Sequence, residues 1–155
     1  MASSDRPLLS LRLAVLALFL VGCPGSAKYS AHAAYSPISS QWESAELRVR
    51  GTRLPGHDMG DECEGTITVK TKGVERSLAV RYAALQTTVT ATTPGGLAKT
   101  GSPLDAGALL AVGPAMTTAE AEDILQAFEA ACLGPKMGFP ATPTLRKVTE
   151  DSHYD

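Results

Sequence analysis

The chain predicts an α+β fold: a small antiparallel sheet of about three to four strands packed against a C-terminal amphipathic helix. Apolar and polar residues alternate around Leu47 and Val49, around Ile67 and Val69, and from Val74 through Leu78 to Tyr82. Such period-two patterning belongs to half-buried strands. Later, Ala121, Leu125, Phe128 and Cys132 recur at helical spacing behind a Thr117/Glu120 capping signature, which marks one helix with a single apolar stripe.

Residues 1–22 stand apart from that fold. Arg6 and Arg12 precede an uninterrupted apolar run from Leu13 to Leu20. The run is far shorter than the roughly 20 residues a membrane-spanning helix needs, and it has the proportions of a cleavable export signal.

Residues 23–41 are rich in Ser, Ala and Gly and contain Pro37, and they read as a flexible tether. The globular region spans 42–135. Glu46, Arg48 and Arg50 point outward in its first strand, and a loop with Pro55, Gly56 and Gly60 follows. A second strand, Thr66–Lys72, turns at Lys72-Gly73 into a third. The stretch Glu75–Leu85 also fits a helix face, with strand preferred. Thr87–Thr92 reads as a further strand, ended at Pro94-Gly95-Gly96.

Ser102-Pro103-Leu104-Asp105 resembles a helix start, with a capping serine and proline at the first helical position. A buried strand through Ala108–Val112 is the alternative there. Thr117–Leu133 is the clearest helix, stopped at Gly134-Pro135, and residues 136–155 read as a C-terminal tail.

The apolar run ends in Leu20-Val21-Gly22-Cys23, which resembles the lipobox of bacterial lipoproteins. The resemblance covers only the first 23 residues and does not extend to the remaining domain. It implies cleavage after Gly22, diacylglycerol on the Cys23 sulfur, further acylation such as palmitate on the new amino group, and a location in the cell envelope. Two or more acyl chains give stable anchoring at about 0.8 kcal/mol per buried methylene. Pro24, rather than aspartate, after the cysteine favours the outer over the inner membrane in a Gram-negative cell.

Cleavage leaves 133 residues and, with Asp5, Arg6 and Arg12 removed, shifts the formal charge from −2 to −3. That balance implies no nucleic-acid partner. With Cys23 assigned to lipid, Cys63 and Cys132 remain as a pair in an oxidising compartment, where a disulfide is expected.

Chemical motifs are sparse. His57, Asp58, Asp61, Glu62 and Glu64 crowd one loop, but their order does not match an EF-hand, and a solvated acidic loop is expected rather than a metal site. The chain contains no G-x-S-x-G, H-E-x-x-H or phosphate-binding glycine loop. No enzyme activity and no cofactor are therefore expected.

The strand phases place Arg48, Arg50, Lys70, Lys72 and Arg81 on one outward face, opposite a helix with four acids and no Lys or Arg. Such separation suits an envelope protein or anionic polymer as partner. The expected function is a membrane-anchored, non-enzymatic binding or accessory component. An inhibitor or immunity-type protein acting on a toxin or hydrolase is the alternative, and an enzyme without a recognisable motif comes third.

Overall fold

The computed structural model describes residues 27–53, 62–83, 86–92, 98–101, 106–134 and 137–154. The lipobox, the loop 54–61 and the segment 102–105 lie outside the described residues.

Six strands follow one another as a meander: β1 (Ala27–Pro37), β2 (Ser44–Arg53), β3 (Glu62–Thr71), β4 (Val74–Ala83), β5 (Gln86–Thr92) and β6 (Ala98–Gly101). The chain then forms helices α1 (Ala106–Val112) and α2 (Thr118–Leu133) and returns as β7 (Leu145–Tyr154). All pairings are antiparallel and the sheet order is β6-β5-β4-β3-β2-β1-β7. The fold is α+β, as the patterning predicts.

The sheet has seven strands, more than the three to four expected, and the two beyond β2, β1 and then β7, come from unexpected places. Residues 27–37 are a strand inside the sheet rather than part of a tether. Tyr29, Ala31, Ala33 and Tyr35 point inward and are buried, but two of the four are alanines, which carry little strand signal. Residues 145–154 form an edge strand rather than a tail. Only Leu145 in it is buried, so β7 lacks the apolar alternation by which a strand is recognised. It is held instead by its ladder with β1. The ladder slips between Ala34 and Tyr35, leaving Val148 as an unpaired, exposed bulge residue.

Residues 74–83 are strand, as preferred over helix. Val74, however, is half exposed rather than inward in effect, because it sits at the turn end of β4. That turn takes Lys72 and Gly73 at positive φ (50° and 75°).

One face of the sheet is covered. α1 packs on β4 and β5, and α2 packs on β2 and β3. Leu47, Ile67 and Leu78 from the strands meet Leu109, Ile124 and Phe128 from the helices in one buried cluster. Thr117 caps α2: its Oγ1 accepts from the Glu120 N–H at 3.2 Å, and Glu120 Oε2 accepts from the Thr117 N–H at 2.8 Å. Glu120 also accepts from the Trp42 indole N–H at 2.9 Å. The carboxylate thus ties the β1–β2 connection to the helix start. At the other end of α2, the last turn is bonded to the sheet through Cys63–Cys132, and Tyr29 Oη donates to the Cys132 carbonyl at 3.0 Å.

The segment between α2 and β7 covers the inward side of β1. Tyr35 Oη donates to the Pro140 carbonyl at 2.8 Å, and Phe139 is buried. Burial, helped by the nearby Glu150 charge, pushes the Tyr35 hydroxyl well above its ordinary pKa. Glu150 accepts from the Phe139 N–H at 2.8 Å, and Lys147 Nζ donates to both the Phe139 carbonyl (2.7 Å) and Glu150. Lys147, with the Phe139 amide, holds the Glu150 carboxyl below its usual range against the opposing effect of burial.

At Gly65 the backbone of β2 and the Phe128 ring of α2 both come close to β3. A Cβ there would collide with the Arg48 carbonyl oxygen and lie 2.9 Å from its carbon and 3.1 Å from Phe128 Cε2. Glycine in a strand interior commonly records such an approach. Gly65→Ala is expected to destabilise by about 1–3 kcal/mol through forced displacement of β2 or Phe128. Thermal unfolding checks this, and an unchanged midpoint would contradict it.

Candidate functional site

Among the described residues the face of the sheet opposite the helices is left open, and pairing register brings its side chains into rows. One row runs His153, Ser30, Arg50, Glu64, Arg81 across β7, β1, β2, β3 and β4. The next runs Asp151, His32, Arg48, Thr66, Ala79. Small residues (Ser30, Thr66, Ala79) stand between long charged ones, so the face is hollowed. The resulting trough encloses about 570 Å³. A second hollow of about 370 Å³, lined by Lys28, Thr52 and Glu62, shares Arg50, Glu64 and Arg81 with it. The two form one depression that opens at the end of the sheet where β1 begins.

Charges in the trough are partly paired. Arg50 meets Glu64 through both Nε and Nη2 at 2.7 Å. Arg48 Nη2 lies 3.3 Å from Glu46 Oε2, and His32 Nε2 lies 3.6 Å from the same oxygen. His32 Nε2 is buried and has no hydrogen-bond partner among the described residues. His153 lies 3.4 Å from Asp151. Arg81 makes no ion pair among the described residues. Guanidinium groups held in this way offer planar, charge-assisted donors for a carboxylate or phosphate. Exposed pairs of this kind add little to stability, so they leave the arginines free to exchange partners.

Of the five cations expected to share a face, the structure brings Arg48, Arg50 and Arg81 together around the trough. The two lysines lie apart from them. Lys70 pairs with Glu43 at 3.6 Å toward the far end of the sheet, and Lys72 occupies the β3–β4 turn. Ser30, His32, Asp151 and His153 belong to the trough but come from segments the sequence presents as tether and tail.

Cys63 and Cys132 are joined, with Cα atoms 5.5 Å apart. His57, Asp58 and Asp61 lie outside the described residues. Glu62 is exposed and Glu64 serves Arg50. Among the described residues, no three His, Cys, Asp or Glu side chains converge as metal ligands, and no helix is long and apolar enough to cross a membrane. Comparison of the chain with protein-family models, with characterised proteins and with solved structures found no match.

Proposed function

We propose that this protein is a lipid-anchored component of the cell envelope that binds a partner through the open face of its sheet. The observation that carries this reading is the trough itself. An antiparallel sheet commonly leaves one face to water, but here that face is hollowed over several strands and ringed by Arg48, Arg50 and Arg81. Such a shape and donor set suit an anionic group on an envelope protein or polymer. The anchor rests on the lipobox-like Leu20-Val21-Gly22-Cys23 and on the Cys63–Cys132 disulfide, which fits an oxidising compartment.

Two measurements test the two halves of the proposal. Labelled palmitate is expected in the wild-type chain and lost in Cys23→Ala; label persisting in that variant removes the anchor. Crosslinking in the native envelope is expected to capture one partner, and Arg48→Ser with Arg50→Ser is expected to lower its yield at least tenfold. Undiminished capture by that variant discards the trough as the binding face.

A further inference from the structure

The register of β1 determines how close the sheet stands to the anchor. Ala27 is already paired with Arg53 of β2, and from Tyr29 onward β1 is flanked by β7 as well. Only Pro24, Gly25 and Ser26 separate Cys23 from this ladder. Four residue steps span at most about 14 Å even when fully extended.

We infer that the end of the sheet where β1 begins is seated on the headgroup layer of the membrane that holds Cys23. The inference rests on the lipid-anchor reading above. No longer tether is available to lift the sheet into the surrounding space, and the chain length requires only that this end, not the other, be the near one.

That end presents cations and interfacial side chains beside the exposed Glu62. Lys28 is exposed beside Thr52, and Arg53 stands opposite Ala27. Tyr154, paired with Tyr29, is 40% exposed, and Met137, just beyond the α2 terminus pinned by Cys63–Cys132, is 88% exposed. Cations near a bilayer are attracted to anionic headgroups, and tyrosine favours the interface. Ile38 and Val74 are also exposed, at the far end, so exposure alone does not select the seated end; the length of chain does.

Seating has a consequence for the trough. Its second hollow, with Lys28, Thr52 and Glu62, opens toward the lipid surface, so ligand on or near that surface reaches Arg50 and Arg81 first. The far end, with Trp42 and the Lys72-Gly73 turn, stands about 30 Å away along the strands.

Trp42 is the only tryptophan, which supplies a built-in control. The full-length, lipidated protein is reconstituted into vesicles of phosphatidylglycerol and phosphatidylethanolamine carrying a headgroup quencher. Wild-type fluorescence is expected to be unquenched, whereas the indole added by Tyr154→Trp, or separately by Met137→Trp, loses at least half its signal. Inserting about twelve Gly and Ser residues between Ser26 and Ala27 should abolish that loss.

Flotation with vesicles, but no quenching of either added indole, overturns the seating and leaves the anchor intact. Quenching that survives the insertion also overturns it, since the short connection would then not be its cause. Failure to float overturns the anchor reading itself, and the seating with it.

Discussion

Replacing Cys63 and Cys132 together by serine is expected to lower the unfolding free energy by about 4 kcal/mol. The bond closes a loop with a sequence separation of 69, and in the chain-entropy model a loop of that size constrains the unfolded chain by about that amount. The bond joins the inward face of β3 to the last turn of α2, so its loss also loosens one attachment of the only long helix among the described residues. The other attachments persist: Phe128 over Gly65, and the Tyr29 hydroxyl on the Cys132 carbonyl. The variant should therefore fold, with a urea midpoint lower by about 2 M. A change below about 1 kcal/mol would show that the disulfide does not stabilise the domain. Reducing agent should reproduce the effect in wild type and leave the variant unchanged.

Glu120→Ala is expected to cost about 3 kcal/mol. The carboxylate is 3% exposed and receives the Trp42 indole and the Thr117 amide. Removing it leaves the buried Trp42 indole N–H without an acceptor, at about 1–3 kcal/mol, and takes away half of a capping box at the part-buried Thr117 amide, at about 1 kcal/mol. Urea unfolding at neutral pH measures the cost, and a loss under 1 kcal/mol would contradict the assignment.

The same site predicts a pH dependence. Burial alone would raise the Glu120 pKa, but hydrogen bonds from Thr117, Ser40 and Trp42 outweigh it and leave the folded value below the ordinary 4.5. A carboxyl depressed in the folded state contributes stability above its unfolded pKa. That contribution is lost as the pH falls through the folded value. Wild-type stability should therefore decline below about pH 4.5, and the decline should be shallower in Glu120→Gln. Glu150, lowered in the same direction by Lys147 and the Phe139 amide, adds to the wild-type slope and remains in the variant.

The sequence reads well where a side chain's size or chemistry reports its surroundings. Leu47, Val49, Ile67, Val69 and Leu78 announce their strands because large aliphatic residues alternate with polar ones. Thr117 and Glu120 announce α2 because the capping box is a local arrangement of four residues. β1 is hard to read because half of its inward positions are alanine. β7 is hard because it lies at a sheet edge, where its backbone pairs with β1 while most of its side chains meet water. The trough inherits both difficulties. Its arginines lie on legible strands, but Ser30, His32, Asp151 and His153 lie on β1 and β7.

By itself, then, the sequence determined the class of the fold, the position and capping of α2, and the outward direction of Arg48 and Arg50, and it carries the lipobox-like segment on which the proposed anchor rests. These depend on neighbours a few residues apart. Only the tertiary structure decided that β1 and β7 complete the sheet, that three arginines separate from two lysines, and that Ala27 leaves so little chain between Cys23 and the sheet. Those outcomes depend on backbone ladders between residues as far apart as Tyr29 and Tyr154, and a ladder hydrogen bond leaves no mark on the side chains that it joins.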